Sequence, residues 1–250
     1  MTYVGYIYVG SNMDKGLVTF DTGSTTATIA TSTCDTCEDQ VYDYSNSTTS
    51  EVFDPDATED VSIVYGSVVL NGTYFLDSLC LEYDAVCANE MKILGIEWQQ
   101  GLGYGEDGIL GLSPYYRNDS SLVWALYNSG VIDNKILGFA TMPLGQQSVA
   151  TFGGVNSTYI AGLIYKIDLI NDFYWEVPLA GAAYAWHSFK RVGKSAIFDT
   201  GSSYVFMPAE DFQAFGQIMM DMYGPLMYCE VLCIYQKPCD FIKDRMEPVL

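Results

Sequence analysis

Basic residues are scarce: eleven lysines and arginines stand against 31 aspartates and glutamates, a formal net charge of −20. A chain this anionic is repelled by nucleic acid and by anionic lipid, so neither is an expected partner. Two explanations of the imbalance stay open. One is plain surface charge for solubility. The other is adaptation to acid, where few basic groups limit the positive charge gained as carboxylates protonate. Histidine is scarcer still, with one copy, His187, in Ala183-Tyr-Ala-Trp-His-Ser-Phe-Lys190. Any Ser–His or Cys–His chemistry would have to use it, and no G-x-S-x-G elbow occurs anywhere. His187 therefore reads as a partly exposed loop or strand residue. No apolar run reaches the roughly eighteen residues of a membrane span. The opening Met1–Gly10 has neither a basic segment nor a small-residue cleavage site, and reads as a strand rather than a signal peptide.

Cysteine is present in an odd number, seven, in three local clusters: Cys34 and Cys37, Cys80 and Cys87, and Cys229, Cys233 and Cys239. Such spacing suits short-range disulfides in an oxidising compartment, with one thiol left over. Cys34-Asp-Thr-Cys37 also has the form of half a zinc or redox site, but the sequence offers no matching second half. No metal is expected. Asn46, Asn71, Asn118 and Asn156 each open an N-x-S/T acceptor, which agrees with a secreted chain. The acidic stretch Asp54–Asp60 alternates oxygen ligands but lacks the glycine and distal glutamate of a calcium loop. It reads as a surface turn. Gly101–Gly105 lacks phosphate-loop spacing and reads as a plain loop.

Short runs rich in β-branched and aromatic residues, punctuated by glycine and Asx, dominate the first 160 positions. Only 121–130 and 209–224 carry helical signals, the second with Glu210 and Asp211 in its first turn and Gly224 at its end. The fold class is therefore mainly β. Within it, Phe20-Asp-Thr-Gly-Ser24 recurs as Phe198-Asp-Thr-Gly-Ser202, each copy preceded and followed by an apolar run. A repeat of this kind marks a duplicated unit. Two lobes are expected, 1–160 and 161–250, each with one such loop.

A single Asp-Thr-Gly is an ordinary turn. A matched pair that brings Asp21 and Asp199 together is different, because two adjacent carboxylates cannot both ionise cheaply. One pKa rises and the pair titrates as a unit. The singly protonated pair holds a base and an acid at one place, which water attack on an amide carbonyl requires. Gly23 and Gly201 let backbone N–H groups approach the acids. Thr22 and Thr200 can bond to each other's loops, and Ser24 and Ser202 can orient the carboxylates.

In this order of motifs the chain resembles the pepsin-like family of eukaryotic aspartic proteases over nearly its whole length. Tyr3–Gly10 resembles the opening strand, and Val18–Ser24 and Ala196–Ser203 the two active-site loops. Val61–Ser67, continuing through Gly72 to Asp77, resembles the flap hairpin. Asp107–Leu112 resembles the segment behind the first loop. Phe152–Asn156 and Tyr174–Val177 resemble the passage into the second lobe. The resemblance implies a two-lobed β fold with a cleft under the flap, and a polypeptide substrate held extended with Tyr65, Gly66, Ser67 and Ile109 against it. It also implies no cofactor, a monomer, and a secreted or lysosomal or vacuolar location.

Three features depart from the family pattern. Thr28 stands where a flap-supporting tryptophan is expected. Val68 occupies a flap-tip position that is often glycine. The second lobe's own apolar-apolar-Gly segment does not occur before Leu250, so that lobe is expected to be incomplete and to leave strand edges uncovered. The expected activity is acid endopeptidase, with a non-catalytic peptide-binding protein as the alternative.

Overall fold

The computed structural model describes residues 3–53, 61–116, 120–142, 146–188, 193–224, 227–230, 232–238, 240 and 246. The stretch Asp54–Asp60, Asn118 and Cys239 lie outside the described residues. The chain groups into two compact units. The first gathers Met1–Ile167, Asn171–Trp175 and Phe198–Ser203, so both Asp-Thr-Gly-Ser loops fall in it. The second gathers Asp168–Ile170, Glu176–Ile197 and Tyr204–Leu250.

The first unit is built on eight strands: β1 (Val4–Val9), β2 (Asp14–Asp21), β3 (Ala27–Ala30), β4 (Glu51–Val52), β5 (Val61–Tyr65), β6 (Val68–Glu82), β7 (Ala85–Gln100) and β8 (Gly108–Gly111). Their order is β1-β2-β8-β3-β7-β6-β4, with β5 on β6. Pairing of Tyr8 with Cys80 and Val9 with Leu79 joins β1 to β6 and closes the sheet on itself, which removes most open edges. Alternation in the strands supplies the core. Ile7, Val9, Val18, Ile29, Leu79, Met91, Ile93 and Leu110 are buried in one cluster, and their outward neighbours, such as Tyr6 and Tyr8, are not.

The placement of β8 positions the site. It runs parallel to β2, pairing Val18 with Gly108 through Asp21 with Gly111, and touches β3 at Ala27–Leu110. A Cβ on Gly108 would stand 2.1 Å from the Thr28 carbonyl oxygen, and one on Gly111 would stand 2.4 Å from the Thr26 nitrogen. Only glycine lets the strand thread this closely behind the first loop. Asp107 anchors its entrance: its carboxylate accepts from Leu17 N at 2.7 Å, and burial raises its pKa against that bond.

Two further strands, β9 (Leu137–Ala140) and β10 (Val149–Phe152), form a hairpin, and α1 (Leu122–Asn128) packs Leu122 and Leu126 inward one turn apart. In the second unit, β11 (Glu176–Pro178), β12 (Ala183–Tyr184), β13 (His187–Ser188) and β14 (Ser195–Ile197) make two small ladders. Then follow α2 (Ala209–Tyr223), β15 (Met227–Cys229) and β16 (Cys233–Tyr235). Acidic Glu210 and Asp211 favour the positive end of the α2 dipole, and Gly224 at φ 75° ends the helix. Both helices stand where the sequence signals put them. His187 lies on a strand, half-buried and against Trp186.

Disulfides join Cys34 to Cys37, Cys80 to Cys87 and Cys229 to Cys233. The Cys34–Cys37 bond excludes the half-zinc reading of that pair. Among the described residues no cluster of three or more metal-ligating side chains converges, and no helix is long and apolar enough to cross a membrane.

Candidate active site

Asp21 ends β2 and Asp199 follows β14, and the two loops that carry them are stitched together by a symmetric set of bonds. Thr22 N donates to Thr200 Oγ1 at 3.0 Å, and Thr200 N donates to Thr22 Oγ1 at 3.0 Å. Each hydroxyl spends its own hydrogen on the backbone of the opposite loop: Thr22 on the Phe198 carbonyl at 2.8 Å, Thr200 on the Phe20 carbonyl at 2.5 Å. A hydroxyl has one hydrogen and two lone pairs, so this arrangement satisfies both groups. The 3.4 Å approach of the two hydroxyls to each other is then proximity rather than a further bond.

The carboxylates lie over the opposite glycines. A Cβ on Gly23 would meet the Asp199 Cγ and Oδ1 at 2.7 Å, and one on Gly201 would meet Asp21 Oδ1 at 2.4 Å. Each glycine also donates its N–H to its own loop's acid, Gly23 to Asp21 and Gly201 to Asp199, both at 2.9 Å. Glycine is thus required twice over, for approach and for the N–H it presents.

The two copies differ in what surrounds them. Asp21 is 7% exposed, whereas Asp199 is half-buried. Burial pushes the Asp21 pKa up to about 6; Ser24 and the Gly23 N–H oppose that rise, and the neighbouring Asp199 adds to it. Ser202 donates to Asp199 Oδ2 at 2.6 Å. Its counterpart Ser24 lies near enough to Asp21 to lower its pKa, yet its buried Oγ makes no hydrogen bond of full geometry. Ser24 thus touches Asp21 without the bond that Ser202 makes to Asp199.

The flap is β5 and β6 joined through Gly66 and Ser67, with Tyr65 opposite Val68. Gly66 at φ 53° takes the first position of this two-residue turn, as type II′ hairpins prefer, so Val68 needs no special backbone. Gly66 and Ser67 are exposed at the tip. The hairpin is backed by a third strand, since β7 continues alongside it to pair Val69 with Gln100. Tyr65 turns inward and packs with Val68 and Ile109 in an apolar cluster that includes Leu70, Leu94 and Ile96. Burial raises its pKa, with Asp21 among the charges that add to the rise.

Thr28, at the position of the expected tryptophan, is fully buried. Its hydroxyl accepts from Ile109 N at 2.8 Å, so it ties β3 to β8 instead of reaching the flap. The Tyr65 hydroxyl is buried without a bond of full geometry, and Thr26 is the neighbour close enough to influence it. Of the expected site residues, Asp21, Asp199, Thr22, Thr200, Gly23, Gly201, Ser24 and Ser202 come together, Tyr65 and Ile109 pack beside them, and Gly66 and Ser67 stand apart at the tip. Sequence reasoning passed over Thr26 and the Phe20 and Phe198 carbonyls. Nothing in the sequence marks a carbonyl acceptor, and Thr26 is one threonine in a run of several.

The family model for eukaryotic aspartyl proteases matches residues 2–238. Vacuolar protease A of Aspergillus fumigatus is 28% identical over 214 residues, covering 83% of this chain and 54% of that protein. Human gastricsin is 27% identical over 241 residues, covering 90% and 61%. Embryonic pepsinogen of Gallus gallus is 24% identical over 228 residues, covering 84% and 55%. The chain thus spans about half to three-fifths of the length of these relatives. With a single family model running from the opening strand past β16, the chain belongs to the eukaryotic aspartyl protease family.

Proposed function

We propose that the protein hydrolyses peptide bonds at acidic pH, as an aspartic endopeptidase with Asp21 and Asp199 as its catalytic pair. The observation that carries the reading is the mutual bonding of the two loops, which sets the buried Asp21 carboxyl against Asp199; burial pushes the Asp21 pKa up to about 6, toward the acid form. The reading gives the pair one proton to share. One carboxylate accepts a proton from the attacking water while the protonated partner donates to the amide carbonyl oxygen. Thr22 and Thr200 fix the two loops against each other, and Gly23 and Gly201 leave the space in which the acids face. The flap lies over an extended polypeptide, with Tyr65 and Ile109 against its apolar side chains and Gly66 and Ser67 along its backbone. The partition into lobes at about residue 160, a monomeric state, and a secreted or vacuolar location belong to the same proposal; a relative named as a vacuolar protease agrees with the last.

The test is cleavage of an unfolded protein between pH 2 and 6. Cleavage that pepstatin blocks and Asp21→Asn abolishes is expected. Pepstatin-insensitive turnover, or none, would refute it. The exposure of Phe198, 64%, and of Tyr204, Val205 and Phe206 favours one other reading, a chain that binds peptides without turning them over. Peptide binding without hydrolysis at any of these pH values would select it.

A further inference from the structure

Beside the first catalytic loop lies a cavity of about 300 Å3. Thr25 and Thr26, the residues next after Ser24, form one wall; Tyr74 and Lys92 of the flap-bearing strands form another; Tyr115, Ser120 and Phe173 complete it. Most of these side chains are polar, and Lys92 is the one charged residue among the described lining. We propose that this cavity is a substrate subsite that selects an acidic side chain, with Lys92 as its specificity-determining residue. The inference rests on the proteolytic reading for the location of the peptide.

Three observations carry it. Lys92 is half-buried, and its ammonium stands 3.7 Å from the Phe53 ring centroid and 4.2 Å from that of Tyr74. Cation–π contact of this kind holds the ammonium in place at the cavity wall. The wall is also coupled to the flap, because Tyr74 packs in the same apolar cluster as Tyr65 and Ile109. Thr26, which lines the cavity, is also the neighbour of the Tyr65 hydroxyl, so the proteolytic reading lays the peptide along this wall. Finally, the charge is conspicuous in its setting. The whole chain carries −20, which repels acidic peptides at long range, but salt screens that repulsion beyond roughly 10 Å. At contact distance the local cation decides, and threonine, serine and tyrosine hydroxyls beside it can donate to a carboxylate.

The test uses the full chain carrying Asp21→Asn, so that peptide persists, and fluorescein-labelled octapeptides in which glutamate or glutamine is walked through each position. Binding is measured by anisotropy at pH 5.5, where a peptide glutamate, with an ordinary pKa near about 4.3, is mostly ionised. At one position glutamate is expected to bind about fivefold tighter than glutamine, the worth of a partly exposed ion pair. Adding Lys92→Met brings that ratio to near one, Lys92→Arg keeps it, and Lys92→Glu reverses it in favour of lysine-bearing peptides. A preference that survives Lys92→Met, no preference at any position, or no peptide binding at all overturns the inference. Cleavage by the unmutated chain is read in parallel. Turnover with no Lys92-dependent preference sinks the subsite alone, whereas Lys92-dependent binding with no turnover by the unmutated chain sinks the proteolytic reading alone.

Discussion

Replacing Asp21 with asparagine is expected to stabilise the fold near neutrality. The folded state raises the Asp21 pKa from 3.8 to about 6, chiefly through burial. Between those values the folded chain holds a proton that the unfolded chain has released. Stability therefore falls as pH rises across this window, and the term that Asp21 contributes at acid pH is gone above about pH 6. A rise from 3.8 to about 6, at about 1.4 kcal/mol for each tenfold change in proton affinity, amounts to about 3 kcal/mol. Asparagine has nearly the same shape, keeps an oxygen for the Gly23 N–H bond, and does not ionise. The variant should match the wild type near pH 3 and exceed it by up to about 3 kcal/mol at pH 7. Asp14 and Asp107, whose pKa values burial also raises, are common to both chains and cancel in the difference. Urea denaturation at half-unit steps from pH 3 to 7 measures it directly. Parallel profiles for the two chains between pH 4 and 6, or a variant that loses stability faster, would show that Asp21 is not a buried, proton-holding carboxyl.

The threonine pair should behave as one device. Thr22→Val leaves the Phe198 carbonyl and the Thr200 N–H without their partner, at a cost of about 1–3 kcal/mol, and Thr200→Val should cost the same. In urea denaturation the double variant should fall short of the sum by about 1 kcal/mol, and strict additivity would refute the coupling. Gly23→Ala places a methyl 2.7 Å from the Asp199 carboxyl carbon; about a hundredfold loss in kcat/KM is expected, and near-normal turnover would contradict the facing of the acids. Tyr65→Phe deletes a buried hydroxyl without a full hydrogen bond and should change stability by less than about 0.5 kcal/mol in thermal unfolding. A loss above about 1 kcal/mol would instead reveal a working bond to Thr26.

Local signals made much of this molecule legible in its sequence. The helices at 121–130 and 209–224 announce themselves through periodicity and end residues, and cysteines three, seven and four positions apart have few other partners. The repeated pentapeptide named both acids because the threonine-to-carbonyl and glycine-to-carboxylate bonds around them admit few other residues. What stayed hidden is non-local. Composition and spacing in Gly108–Gly111 do not say that it threads between β2 and β3; only the resemblance put the segment behind the first loop, and the two glycines turn out to be the residues that permit it. β6 and β7 run to 15 and 16 residues, far past the flap, because register shifts at Asn71/Gly72 and Asp77/Leu79 let them bend with the closed sheet. Lys92 carried no motif. Its meaning comes from standing diagonally across the strands from Tyr74 and beside a loop more than sixty positions away.

The repeat also separates what a motif specifies from what its surroundings do. After the first copy, Ala27–Ala30 is buried throughout, held between β7 and β8, and Phe20 packs edge-on to Phe152. After the second, the corresponding Val205 and Phe206 are 71% and 78% exposed, and Phe198 is 64% exposed. Among the described residues no strand stands beside it as β8 stands beside the first. Identical Phe-Asp-Thr-Gly-Ser sequences thus give identical hydrogen bonds, threonine to carbonyl and glycine to carboxylate, but unequal cover. Because burial is the largest cause of the raised Asp21 pKa, that rise is set by cover more than by the motif. Under the proposed function, apolar side chains of a peptide laid over Asp21 would withdraw further water and act in the same direction, raising its pKa further in the complex than in the free protein.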